Sequence, residues 1–515
     1  MSVEEAEQLL RSRDDKKVVA GLVIAVEILE KDPPSSVLER VLDSLPRGVG
    51  DGLATNASLR YLSLNVASAL AKFESRYIDS ALNVAKTADI SKDDHEALVV
   101  LFVRLSKRVS KSQLSQLLNN EVVELWTAFS DSEKPRTEDC VLLATLLSEN
   151  LDCLKAANRS KFISGLQKIL EESSKDGTSD EVLKRLLSVG VTCVNMQAST
   201  SFGQGLVKVM TKNPGPAARR GAFELLKAAL KADNIGYSDL DDLKAIELAL
   251  RLVEVELRVR MKDFVMYKET TPDGDLTLEN LSLSDERVSD NLQMCMLCFE
   301  VMESIVETYR ELEGNLVESS TELSEAERAE VGVMKVLVDA IGVLLEFVDA
   351  VQESLQEGHN STVRNQLALA AGRVLCAFLV LEIPALEKES ARCMGQLSEI
   401  VDLDNLEILT PGFLLVSQGA NRGTLRNKEV HVRLAQLCAL VAKGSRSSER
   451  DMLTGLMALE TVHRLLETRS PGGPSVDLKE LKKICQPLRA ALKLQPHPEL
   501  ASFLEDLLLV QELDG

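Results

Sequence analysis

The breadth of its aliphatic stripes restricts this chain more than any single motif. The stretch Leu252–Met261, LVEVELRVRM, alternates apolar and charged residues from Val253 onward, as a half-buried strand would. Yet it is joined to DLDDLKAIELALR with no Gly, Pro or turn signal between them. At helical spacing Leu243, Ile246, Leu250, Val253, Leu257, Met261 and Phe264 follow steps of 3, 4, 3, 4, 4 and 3 and make one stripe. Leu248, Leu252, Val255 and Val259 make a second stripe on a neighbouring face. Glu254 with Arg258 and Glu256 with Arg260 stand at i, i+4 in the favoured order, for about 0.2–0.5 kcal/mol per pair. A strand here would leave the preceding helix without an end, so the segment is predicted as one helix with two apolar faces.

Two apolar faces require neighbours on two sides. The same breadth recurs in DDKKVVAGLVIAVEILEKD, ASLRYLSLNVASALAKF, DDHEALVVLFVRLSKRV, AARRGAFELLKAALKAD, VGVMKVLVDAIGVLLEFVDAVQESL, TVRNQLALAAGRVLCAFLVLE and HVRLAQLCALVAK. Helices of a compact bundle bury one face; in a solenoid each is covered by its own partner and by adjacent repeats. Proline and glycine breaks fall irregularly, at Asp32-Pro33-Pro34, Lys134-Pro135, Asn213-Pro214-Gly215-Pro216, Ile383-Pro384, Thr410-Pro411-Gly412 and Ser470-Pro471-Gly472-Gly473-Pro474. They show no ankyrin or tetratricopeptide period and suit degenerate helical pairs of about 40 residues. The expected fold is all-α, an armadillo/HEAT-like α-solenoid (an α/α superhelix). It would run as one body over residues 1–469, with a linker at 470–476 and a terminal helical pair within 477–515 packed on its end. Thr270–Glu286 is acidic and turn-rich, and is expected to form an exposed loop before a helix starting near Val288.

Composition agrees. Aromatics are only 3% while apolar residues make up 45%, the balance of many helices packed on aliphatic side chains. The net charge of −21 repels phosphate backbones and favours basic peptides or basic protein patches as partners, with no nucleic acid. No apolar run approaches a membrane-spanning length, and the acidic start MSVEEAEQLL has no targeting character. The nine cysteines lie scattered in apolar helical stretches, which fits a reducing compartment and a cytoplasmic location.

Several stretches together resemble the neurochondrin family of armadillo-like proteins. GLVIAVEILEKD (Gly21–Asp32) looks like the family's N-terminal aliphatic helix, and LVEVELRVRM resembles its VEVRL helix. MKVLVDAIGVLLEFVDAVQE (Met334–Glu353), RVLCAFLVLEIPALEKES (Arg373–Ser390) and LEILTPGFLLVSQGANRG (Leu406–Gly423) resemble consecutive helices of its second half, in the same order. The resemblance implies a non-enzymatic cytosolic scaffold or regulator. Its animal members are linked to neurite outgrowth, to restraint of a calcium/calmodulin-dependent kinase, and to trafficking. The acylated N-terminal cysteines of those members have no counterpart, since no cysteine precedes Cys140. The resemblance carries no catalytic residue.

Chemistry-bearing motifs are weak. Cys295 and Cys298 form a CxxC among Leu292, Met296, Leu297 and Phe299, with no second Cys or His pair to complete a zinc site, so two packed core thiols are expected. His95, His359, His431, His463 and His497 are far apart, and a hydrogen-bonded structural role is expected even for His431. GVGDG (Gly48–Gly52) lacks the flanks of a phosphate loop, and SFGQGLVKVM lacks the Gly-x-Ser-x-Gly of a nucleophile elbow. Asp273, Asp275 and Glu279 have the wrong spacing for a calcium loop. No cofactor and no metal are expected.

Two basic clusters stand out on so acidic a chain. Arg104, Lys107, Arg108 and Lys111 are placed at steps of 3, 1 and 3, which predicts a basic stripe on one helix face. Arg422, Arg426, Lys428 and Arg433 surround the turn after the PGF helix. Each is either a solvated face balanced by nearby acids or a site for an acidic or phosphorylated segment of a partner. Three functions stay open: an adaptor like neurochondrin; a transport or assembly factor of the karyopherin or chaperone kind, with an acid-rich inner groove; and an enzyme whose site converges from dispersed residues. The first is preferred.

Overall fold

The stretches with broad aliphatic stripes are helices in a computed structural model of the chain. It describes residues 2–12, 14–31, 34–45, 57–70, 81–82, 84–85, 95–132, 137–173, 178–196, 203–212, 214–232, 240–265, 286–313, 325–358, 362–427, 430–442 and 449–466. No strand occurs among the described residues. Contacts divide the chain into two compact units, Met1–Asn234 and Ile235–Gly515, within the span expected to be one solenoid.

The first unit contains α1 (Val3–Leu10), α2 (Asp15–Glu30), α3 (Ser35–Ser44), α4 (Ala57–Leu70), α5 (His95–Ser106), α6 (Lys111–Leu117), α7 (Val123–Ser130), α8 (Thr137–Glu149), α9 (Ala156–Ser173), α10 (Asp180–Asn195), α11 (Gly203–Thr211) and α12 (Pro216–Lys231). Ser2, Asp14, Ser110 and Ser179 each accept a hydrogen bond from a first-turn backbone N–H, which fixes where α1, α2, α6 and α10 begin. One row of helices runs α2, α4, α5, α8, α10, α12, each packed on the next; α7, α9 and α11 form a second row. Crossing contacts join α9 to α10 and α11 to α12. This is the two-row stack of a helical-repeat solenoid.

Ion pairs reveal the repeat length. Lys168 pairs with Asp131 at 2.8 Å, and Lys208 pairs with Glu171; both links span 37 residues. The Asp180 carboxylate accepts from the Ala217 and Ala218 N–H groups at 2.8 and 3.1 Å, across 37 and 38 residues. That bond places a negative charge at the N-terminus of α12, where the helix dipole favours it. The step agrees with the expected pairs of about 40 residues. Each exposed pair contributes about 0–1 kcal/mol. Burying one leucine contributes about 1.5–3 kcal/mol. The ion pairs mark the repeat, and the aliphatic core holds it.

The second unit contains α13 (Leu240–Val265), α14 (Glu286–Glu313), α15 (Glu325–Gln356), α16 (Thr362–Leu379), α17 (Glu387–Ile400), α18 (Thr410–Gln418), α19 (Arg422–Asn427), α20 (Val430–Ala442) and α21 (Glu449–Leu466). Its rows are α13–α15–α17 and α14–α16–α18–α21. Bidentate ion pairs run along both rows: Arg392 holds Asp349 at 2.6 and 2.7 Å, and Arg373 grips the Glu303 carboxylate.

Helix α13 settles the ambiguity of LVEVELRVRM. The stripe from Leu243 to Phe264 is buried throughout, and Arg258 and Arg260 bond Glu254 and Glu256 at 3.1 and 2.5 Å. The second stripe is a correction. Leu248 and Leu252 are half-buried, but Val255 and Val259 are 50% and 60% exposed. Periodicity determines which residues share a face; it does not supply a neighbour to cover that face. The expected linker and terminal helical pair lie outside the described residues. So does the acidic loop, apart from Glu286, which opens α14.

Candidate functional site

The first basic cluster is not a stripe on one helix face. Helix α5 ends at Ser106; Lys107 and Arg108 lie in the following turn, and Lys111 opens α6. The break comes from a capping box, in which the Ser110 hydroxyl accepts from the Gln113 N–H while the Gln113 side chain accepts from the Ser110 N–H. Arg104 bonds Glu30 at 2.7 Å and Lys111 bonds Asp152 at 2.6 Å. Lys107 and Arg108 are exposed and make no ion pair with any described residue. In the second cluster Arg422 is half-buried at the start of α19. Arg433 donates to the Val401 carbonyl at 2.7 Å, and burial lowers its pKa. The backbone of Arg426 is part of α19, and Lys428 lies outside the described residues. The first cluster is thus split between the end of one helix, a turn and the start of the next, and of the second only Arg422 and Arg433 have described side chains.

The thiols are core residues. Cys295 and Cys298 are fully buried inside α14, as the apolar setting predicts. Burial pushes the thiols of Cys140, Cys193, Cys376 and Cys393 up to about 12, far from the thiolate range a nucleophile needs. His95 meets the edge of Phe129 with ring centroids 5.1 Å apart, and His431 is buried at the start of α20. SFGQGLVKVM forms helix α11 from Gly203 onward, while GVGDG and the acids Asp273, Asp275 and Glu279 lie outside the described residues.

A site that the sequence reading did not single out lies where α16, α17 and α18 end or begin. A cavity of about 320 Å³ opens there. Phe378, Leu379, Ile383, Leu415 and Val416 form its apolar walls. Glu382 and Glu387 are its charged lining residues among the described residues, none of which is basic there. Its walls come from Arg373–Ser390 and Leu406–Gly423, two of the stretches that carry the family resemblance. Gly412 lets them meet: a Cβ there would stand 2.5 Å from Cys376 Sγ and 2.7 Å from Met394 Cε. With no side chain, α18 settles directly on α16 and α17.

Three features give the cavity its character. Ser390 is wholly buried in α17, lines the cavity, and has a hydroxyl with no hydrogen-bond partner among the described residues. Such a group costs about 1–3 kcal/mol while unsatisfied. Glu387 accepts from Asn421 Nδ2 at 3.0 Å, which holds its carboxylate at the rim. Glu382 has φ of 49°, the left-handed turn that ends α16, with its N–H donating to the Leu379 carbonyl at 3.2 Å. Glycine or asparagine suits that position; glutamate there costs about 1–2 kcal/mol. Glu382 is exposed and makes no ion pair with any described residue. The C-terminal ends of α16 and α18 bring two negative helix poles to the cavity, and Glu387 answers the positive pole at the start of α17. Apolar walls, two carboxylates and an unsatisfied hydroxyl suit an elongated group with an apolar stem and a cationic, hydrogen-bonding head. The Ile383-Pro384 break signalled this corner in the sequence, but nothing there signalled that the two acids would share a cavity.

No protein-family model matches the chain, and no curated protein matches it in sequence. Among solved structures, an engineered protein is similar at 13% identity and a TM-score of 0.48, over 90% of this chain and 99% of that one. The karyopherin Kap121p bound to the SUMO protease Ulp1p is similar at 14% identity and a TM-score of 0.34, over 98% of this chain and 52% of that one. Kap121p bound to RanGTP gives the same values. The chain thus spans about half the length of these karyopherin structures. No helix among the described residues is long and apolar enough to cross a membrane.

Proposed function

We propose that this protein is a non-enzymatic, cytoplasmic scaffold that works by binding other proteins. The neurochondrin resemblance implies the same, a regulator in signalling or trafficking. The observation that carries the reading is the two-row stacking of helices within each unit. Such a stack devotes its interior to aliphatic packing and presents a long series of helix faces and turns to partners, where modest contacts add up. The surface offers suitable material: exposed Val255, Val259 and Val331, the cationic turn at Lys107 and Arg108, and the acid-lined cavity beside Glu382. The buried thiols of Cys140 and Cys376, at about 12, favour packing over chemistry.

Cross-linking and affinity capture from the native cell test the reading. Wild type is compared with Lys107→Glu/Arg108→Glu, which reverses two exposed charges without touching a described partner. Reproducible complexes with mapped cross-links on these helix faces and turns are the expected result. A chain that migrates alone and cross-links only to itself would overturn the proposal.

A further inference from the structure

We propose that the cavity between α16, α17 and α18 is a receptor for a single arginine or lysine side chain on an extended segment of a partner protein. This deepens the scaffold reading and rests on it. Size limits the occupant first: about 320 Å³ is at the low end of ligand sites and holds one long side chain with the backbone beside it. The walls then select its stem. Phe378, Leu379, Leu415 and Val416 accept the methylenes of a long basic residue, which cover apolar surface while the head stays polar. Charge selects the head, since the described lining residues include Glu382 and Glu387 and no basic group.

Ser390 supplies the independent indication. Its hydroxyl is buried behind the cavity wall and has no hydrogen-bond partner among the described residues, so an N–H donor that displaces a wall side chain on entry would satisfy a group that otherwise stays unsatisfied. Glu387 is already held in place by Asn421, so one carboxylate is oriented before a ligand arrives. Arginine is expected to bind more tightly than lysine, because its five donors can serve two carboxylates and a hydroxyl at once.

The test uses the full-length chain and an array of decapeptides whose central residue is arginine, lysine, citrulline or norleucine. Wild type should retain arginine and lysine peptides over citrulline and norleucine by about tenfold or more, the scale of a charge-assisted hydrogen bond. Glu382→Gln should remove most of that preference. Its side chain is exposed and makes no ion pair with any described residue, so the variant is expected to fold as wild type does. Ser390→Ala should weaken arginine peptides more than norleucine peptides. Equal binding of arginine and citrulline peptides, or an undiminished preference in Glu382→Gln, would overturn the assignment. Free arginine binding as tightly as the peptides would also overturn it, by pointing to a small-molecule site. Native complexes that persist in Glu382→Gln while the array shows no basic preference would remove this pocket and leave the scaffold reading intact.

Discussion

Trp126 donates its indole N–H to the Phe162 carbonyl at 3.1 Å, joining α7 to the first half of α9 beneath fully buried rings set edge to face at 5.2 Å. Gly165 makes the approach possible. A Cβ at that position would fall well inside contact distance of Trp126 Nε1, and 3.1 Å from Ser130 Cβ.

Gly165→Ala therefore reverses the usual benefit of alanine in a helix. It should destabilise the first unit by about 1–3 kcal/mol through overpacking. Gly342, inside α15, is the control, with nothing within 4 Å of its added Cβ. Gly342→Ala should stabilise by about 0.5–1 kcal/mol. Denaturant midpoints of the two variants check the pair, and equal signs would refute the packing account.

Arg364 ties two helix ends together. Nearly fully buried, it donates from Nε to the Phe264 carbonyl at 2.7 Å, at the end of α13, and from Nη1 to the Ser354 hydroxyl in α15. Burial lowers its pKa, and the last carbonyls of α13 compensate its charge. Arg364→Ala should cost about 1.5–3 kcal/mol or more, because a charge-assisted bond is lost and a carbonyl left unsatisfied. Arg364→Lys should rescue little, since an ammonium lacks the planar fork that sets Nε on the Phe264 carbonyl and Nη1 on the Ser354 hydroxyl. Hydrogen exchange at the C-terminal turn of α13 should rise in both variants.

The cysteines should label in an order set by burial. At pH 8, iodoacetamide should reach the partly exposed Cys153 first among the described cysteines. Cys140, Cys193, Cys376 and Cys393, at about 12, should label only as fast as the protein unfolds. Peptide mass spectrometry over a time course reads the order. Early modification of Cys376 would contradict its place beneath Gly412.

Asp152 provides a pH test. Its carboxyl lies below its ordinary 3.8 because Lys111 donates a hydrogen bond to it. A carboxylate with a lowered folded-state pKa stabilises the fold above its unfolded value, and that contribution is lost as pH falls through the folded value. Lys111→Gln should move the Asp152 titration back toward 3.8. The variant should be less stable than wild type at neutral pH, and the gap should close as pH falls below the folded value. Both effects should shrink in 1 M salt, since the pair is exposed. An unmoved carboxyl resonance in a titration followed by NMR would refute the link.

Much of the first basic cluster's fate was legible before any packing was known. Ser110 and Gln113 stand three apart before an apolar run, the signature of a helix start, so the break between Arg108 and Lys111 was available in the sequence. Spacing alone hid it, because steps of 3, 1 and 3 fit a helix whether or not one continues. The tie from Arg433 to the Val401 carbonyl was not legible, since it joins positions 32 residues apart across a packing contact.

Local features came from the chain alone: helical periodicity, the stripe from Leu243 to Phe264 and the caps, all of which depend on residues within a few turns. Packing between helices added the rest. It left Val255 and Val259 in solvent, brought Arg104 to Glu30, and set Glu382, Glu387 and Ser390 around one cavity. The reason is physical. A side chain's periodicity is written into its own helix, whereas its partner is set by how neighbouring helices settle against one another.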